Sequence, residues 1–160
     1  MKNFILVVSL CLFAMACKEN TNTSSDSSTA IFDQDIIIVP FKQMEGEANK
    51  LPKEINLFEK YQLYPRIEKL LGQDFKEFKE NWNDETPMVK YIDVMTAIGC
   101  KKDDCKSSQY LLLFDLMTNE LNIYSFQNAK VRTFEEKTII GLNDQLSDLY
   151  MKIAKDHGVY

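Results

Sequence analysis

Three segments decide the fold: Met88–Ile98 (MVKYIDVMTAI), Gln109–Met117 (QYLLLFDLM) and Leu121–Phe126 (LNIYSF). They are rich in strand-forming residues, and the breaks between them, CKKDDCKSS and TNE, have the composition of turns. Partial alternation, with Val89 and Tyr91 set against Lys90, Ile92 and Asp93, predicts an antiparallel sheet with one covered face. Val131–Phe134 adds a further strand after the turn QNAK.

Working outward, prolines punctuate the segment before the sheet. Pro52 opens a helix reaching about Leu63, and Pro65 opens another that ends near Gly72. Phe75, Phe78 and Trp82 recur at helical spacing, so a third short helix presents an aromatic stripe to the core. Further upstream, Ile36-Ile37-Ile38-Val39 reads as a short strand stopped by Pro40. After the sheet, Leu142, Leu146, Leu149, Tyr150 and Ile153 share one face of a closing helix. Asn143 or Asp144 caps its start and Gly158 closes its end. His157 falls in its last turn, as a partner of the helix dipole or an exposed residue and not as a catalytic group. The fold class expected is α+β.

The N-terminal residues read as an address. Residues 1–17, MKNFILVVSLCLFAMAC, join a lysine to an apolar stretch too short to span a bilayer comfortably. Ala14-Met15-Ala16-Cys17 resembles a bacterial lipobox, the alternative being an ordinary secretory signal with an incidental cysteine. In the lipobox reading Cys17 becomes the lipid-bearing N-terminus, and several acyl chains at about 0.8 kcal/mol per methylene anchor it to a membrane. Lys18-Glu19, interrupted by Asn20, resembles the short charged export signals of surface lipoproteins, so the domain faces the periplasm or the cell surface. NTNTSSDSST (Asn20–Thr29) has no apolar side chain and reads as a tether. From Cys17 to Ala30 that tether spans roughly 20 Å root-mean-square. The expected organisation is a signal peptide over 1–16, a lipidated tether over 17–30 and one α+β domain over 31–160.

The composition narrows the function classes. A chain of 160 residues suits one domain, and with 45% apolar residues and a net charge of −5 it has the balance of a globular protein. Cleavage before Cys17 removes only Lys2 among the charged residues, leaving 18 basic against 24 acidic side chains, a net −6. No basic patch points to nucleic acid. The single histidine leaves no credible base–nucleophile pair, and neither an enzyme nor a cofactor is called for. Cys11 departs with the signal and Cys17 takes the lipid. In an oxidising compartment the remaining pair, Cys100 and Cys105, is most simply a disulfide.

Those two cysteines enclose Lys101-Lys102-Asp103-Asp104 at a hairpin tip. Spacing alone reads first as a hairpin staple with solvated charges, and second as a stiff projecting loop that loses little freedom on docking. A zinc site lacks ligands, since two thiols and two adjacent carboxylates have no second cluster. Asp103 and Asp104 are also sequence neighbours, unlike a hydrolase pair that faces across a cleft.

The loop and its surroundings resemble the inhibitor of vertebrate lysozyme (Ivy) family. Its members are periplasmic proteins with a bridged loop of the form Cys-Lys-Pro-His-Asp-Cys, which enters the active-site cleft of C-type lysozymes. The match lies in Cys100, Lys101, Asp104 and Cys105, in the small residue before the first cysteine, and in Ser107-Ser108-Gln109 with the apolar strand that follows. It is clearest over Met88–Phe126 and weaker in the flanking helices, while residues 31–63 are not placed by it. The family's proline is Lys102 here and its histidine, which reaches the two catalytic carboxyls of lysozyme, is Asp103.

The resemblance implies a central antiparallel sheet flanked by helices, often in a homodimer. It also implies occlusion of a lysozyme cleft by Lys101, Lys102, Asp103 and Asp104, with Cys100–Cys105 as the clamp. The partner is a lysozyme or a related peptidoglycan hydrolase. The alternatives are an envelope lipoprotein that kept the fold without inhibition, and an inhibitor of a different cell-wall hydrolase. From the lipobox follows a test: the protein partitions with membranes, and Cys17→Ser releases it to the soluble fraction or blocks its maturation. A soluble wild type with a free N-terminus elsewhere contradicts lipidation.

Overall fold

Leu111, Leu112, Leu113 and Phe114 follow one another in one strand, and an extended chain sends successive side chains to opposite faces. Such a run is stable only where both faces are covered. The structure, a computed structural model, describes residues 39–160. Its five strands are β1 (Asp84–Tyr91), β2 (Val94–Cys100), β3 (Ser108–Asp115), β4 (Leu121–Gln127) and β5 (Lys130–Glu135). They form an antiparallel meander in the order β1-β2-β3-β4-β5.

One face of the sheet, carrying Met95, Ala97, Leu112, Phe114 and Ile123, packs against the N-terminal half of the domain. That half contributes Phe41 and Met44 from a 3₁₀ turn (Phe41–Glu47), with α1 (Leu57–Lys60), α2 (Leu63–Leu71) and α3 (Phe75–Asn81). The other face, with Val94, Leu111, Leu113, Tyr124 and Phe126, packs against α4 (Asp144–Asp156) through Leu146, Ile153 and Ala154. Each large apolar side chain so enclosed contributes about 1.5–3 kcal/mol. The expected α+β class with helices flanking a central sheet is therefore present. The expectation of a single covered face is corrected: the near-continuous apolar runs of β3 and β4 are covered on both.

Several element boundaries differ from the sequence reading. Met88–Ile98 is not one strand but parts of two, turned at Ile92-Asp93 between the paired residues Tyr91 and Val94. Ile92 takes a left-handed φ of 55°, unusual for a β-branched residue, so no local residue announces the turn. The helix expected from Pro52 to Leu63 is broken into a 3₁₀ turn (Pro52–Ile55) and the single turn of α1, because Asn56 and Gln62 are both left-handed. Pro65 lies inside the first turn of α2, where its missing N–H leaves no bond unmade. The aromatic stripe of α3 is core: Phe78 is fully enclosed, and Phe58 sets its ring against both Phe78 and Trp82. In α4, Asn143 is the cap, its Oδ1 accepting from the Leu146 N–H at 2.9 Å, and Gly158 follows the helix at φ 66°.

The outer edge of β1 is protected by its own irregularity. Pro87 sits in a bulge between Thr86 and Val89, where one extra residue enters the strand. Beyond it, Met88 exchanges backbone bonds with Asn49 and Lys50. The turn before those residues is tied down by Glu47, which takes Lys50, Lys60 and the Tyr61 hydroxyl. Lys50 first, then Lys60, holds the Glu47 carboxyl down to about 2. The expected signal peptide (1–16), lipid site Cys17, tether (17–30) and all of the 36–39 strand except Val39 lie outside the described residues. Among those described, no helix is long and apolar enough to cross a membrane.

The β4–β5 connection yields a prediction. Asn128 and Ala129 form a two-residue hairpin loop with φ of 52° and 56°, the arrangement that favours Asn-Gly. An alanine in that conformation costs about 1–2 kcal/mol, part of which glycine returns as unfolded-state entropy. Ala129→Gly is expected to stabilise the domain by about 1 kcal/mol, read as a higher denaturant midpoint at unchanged slope. No shift in midpoint would mean the turn is relaxed as it stands.

Candidate functional site

The register of β2 against β3 determines where the bridged loop begins. Cys100 pairs with Gln109, and the Lys101 N–H donates to the Ser108 carbonyl at 3.0 Å, the last rung of the ladder. Beyond it the chain must reverse over Lys102–Ser107. Cys100 and Cys105 are joined as expected, with their Cα atoms 4.9 Å apart. Inside the ring, the Asp104 N–H donates to the Lys101 carbonyl, and the Ser107 N–H and hydroxyl both donate to the Asp104 carbonyl, each at 3.1 Å. Asp103 takes the left-handed conformation at φ 56°, which aspartate tolerates better than most residues.

The four charged residues are all exposed, but they are not equivalent. Lys101 Nζ lies 3.5 Å from Asp104 Oδ2, so these two side chains neutralise one another at the surface. The Ser107 hydroxyl first, and the Lys101 ammonium after it, hold the Asp104 carboxyl below the ordinary carboxylate range. Lys102 and Asp103 have no ion-pair partner among the described residues. They are the unpaired charges inside the ring, and Lys106, just past Cys105, is likewise exposed with no ion-pair partner among the described residues.

Residues the sequence reading did not single out support the loop. From the start of β1, the Asp84 carboxylate accepts from the Asp103 N–H at 3.0 Å, and the Asn83 side-chain carbonyl accepts from the Lys102 N–H at 3.4 Å. Asn83 is itself pinned, its N–H donating to the Cys100 carbonyl at 3.0 Å. At the base, the buried Ser108 hydroxyl accepts from Asn81 at 3.3 Å and from Gln127 at 3.0 Å. The Trp82 ring lies across Gly99, where a Cβ would come within 2.3 Å of the indole. The small residue before the first cysteine is therefore a packing requirement.

His157 is buried, which corrects the expectation of an exposed residue, although it does cap the C-terminus of α4. Its Nε2 lies 3.0 Å from Gln109 Oε1, and its ring packs beside Phe126. Burial pushes its imidazole below the ordinary histidine range, against the opposing pull of the Lys106 carbonyl. It packs behind the loop base.

A cavity of about 500 Å³ lies toward the other end of the sheet, lined among others by Arg66, Lys69, Asn119 and Glu136. Arg66 is committed there to structure: its guanidinium pairs with Glu136, donates to the Asn119 carbonyl at 2.7 Å and covers the Phe41 ring. Among the described residues no group of three His, Cys, Asp or Glu side chains could hold a metal ion. The loop is thus an exposed, charged segment held by its disulfide and by hydrogen bonds from Asn83 and Asp84.

Comparison with protein families finds a match over residues 62–156, more than half of the chain, to the model described as inhibitor of vertebrate lysozyme (Ivy). The matched span runs from the start of α2 through α4 and contains the whole loop with Asn83 and Asp84. The same search of curated proteins and of solved structures finds no match.

The bridge closes a small ring, so its entropic contribution is about 2 kcal/mol against a domain stability of roughly 5–15 kcal/mol. The Cys100→Ser/Cys105→Ser double variant is expected to remain folded with a lower denaturant midpoint. Two free thiols in protein made in an oxidising compartment, read by mass spectrometry, would contradict the pairing.

Proposed function

The chain belongs to the inhibitor of vertebrate lysozyme family, and from that premise we propose that it blocks a C-type lysozyme by seating the Cys100–Cys105 loop in the enzyme's cleft. The observation that carries this reading is a bridged, internally bonded loop with its charges exposed, standing at a sheet end inside the matched span. Inhibition is steric and needs no reaction at the loop. Rigidity serves it directly, since less side-chain and backbone freedom is lost on docking. C-type lysozymes are strongly basic, so the net −6 of the cleaved chain steers encounter favourably. Anchorage through Cys17 at the envelope, and a tether over 17–30, hold the domain where such an enzyme arrives.

The internal pairing of Lys101 with Asp104 leaves Lys102 as the unpaired ammonium inside the ring, placed to meet the enzyme's catalytic carboxyls. Asp103 works against it. A second carboxylate in a water-excluded cleft repels its like charge by several kcal/mol. That residue is also the specific reason for a second reading, in which the loop is aimed at a different cell-wall hydrolase whose cleft carries positive charge.

The two readings separate in a binding assay with a purified C-type lysozyme. Histidine also tolerates the left-handed conformation of residue 103, so Asp103→His alters charge without forcing the backbone. It is expected to strengthen inhibition at least tenfold, about 1.4 kcal/mol. A folded Asp103→His protein that binds no better would turn the assignment to another hydrolase.

A further inference from the structure

We infer that Asp84 is the positioning residue of the inhibitory loop: its carboxylate, reaching from the start of β1, holds the tip in the one backbone conformation that presents residues 102 and 103 to a partner. The inference rests on the proposed function for its biological meaning, and on geometry alone for its physical content.

The disulfide does not determine the tip by itself. It closes the ring at Cys100 and Cys105, and bonds within the loop engage Lys101, Asp104 and Ser107. The amides of Lys102 and Asp103 have no acceptor inside the loop. Both acceptors come from the neighbouring strand, through Asn83 at 3.4 Å and Asp84 at 3.0 Å. The Asp84 bond is the shorter and is charge-assisted, a class roughly twice as strong as a neutral hydrogen bond. It engages the one loop residue in the left-handed region, where an unsupported chain readily returns to more populated geometry.

Asp84 is well placed for this task. It stands directly opposite Cys100 in the β1–β2 register, so the same pairing that fixes the first cysteine fixes the carboxylate. Asn83 is locked to Cys100 in turn, and Trp82, just before it, is wedged across Gly99. The support is therefore as rigid as the sheet, and the tip inherits that rigidity through the Asn83 and Asp84 side chains, of which Asp84 makes the shorter bond. Asp84 itself is exposed, so its replacement leaves the core untouched.

Amide hydrogen exchange and lysozyme inhibition test this together, on the full chain with its disulfide intact. In Asp84→Ala the Asp103 N–H is expected to exchange at least tenfold faster, while the amides of β3 and the thermal midpoint stay as in the wild type. Inhibition of a C-type lysozyme is expected to weaken at least tenfold. Asp84→Asn keeps a side-chain acceptor and is expected to restore most of both, a rescue that a general loss of structure would not allow. Unchanged exchange at Asp103 in Asp84→Ala overturns the inference whatever lysozyme does, and so does faster exchange with undiminished inhibition. If the wild type does not inhibit, the proposed function fails while the exchange result still decides the role of Asp84.

Discussion

The structure depends on the need to cover both faces of three central strands at once. In β2, β3 and β4 almost every side chain is enclosed, including four consecutive large apolar residues in β3. A lone meander would leave half of them in water, at a cost no turn or salt bridge could offset. The N-terminal helices and α4 therefore take opposite faces, and the polar parts of the chain are displaced to the two ends of the sheet. The bridged loop is at one end because β2 and β3 run out of ladder there.

Displacement to an end explains the loop's exposure but not its order. Order comes from lateral contacts that cost little. Asn83 and Asp84 reach the tip from β1, Asn81 and Gln127 meet at Ser108 below it, and the capped end of α4 brings His157 against Gln109. Each is a modest interaction, about 0.5–1.5 kcal/mol when neutral. Together they make a charged surface loop behave as part of the sheet. The price of rigidity is small because, of the polar atoms buried behind the loop, only His157 Nδ1 lacks a hydrogen-bond partner, and burial favours the neutral imidazole.

The opposite end shows a different use of charge. Arg66 is almost wholly enclosed between Phe41, Asn119 and Glu136, and Glu136 also accepts from the Leu121 N–H at 3.0 Å. A buried ion pair of this kind adds little net stability relative to apolar packing, yet removing one partner leaves an uncompensated charge. Its effect is to join α2, the β3–β4 turn and the segment after β5 in a single arrangement. The enclosed ion pair and the bridged loop thus lie at opposite ends of the sheet, and Lys102 and Asp103 at the loop end have no ion-pair partner among the described residues.

What the residues determine locally was legible. The strand-forming runs of β3 and β4, the cysteine spacing, the Asn143 cap, the Gly158 stop and the aromatic stripe of α3 are all properties of neighbours a few positions apart, which periodicity and composition report. Ile92-Asp93 escaped because a β-branched residue in a left-handed turn is imposed by the pairing of β1 with β2 and not by local preference. Asn56 and Gln62 break the expected helix with left-handed backbones that helical periodicity does not register, although asparagine is among the residues that enter that region readily. The loop was readable as a bridged, charged tip. That Lys101 and Asp104 cancel, that Lys102 and Asp103 remain free, and that Asp84 steadies them are facts of contact between strands, and only the tertiary structure decided them.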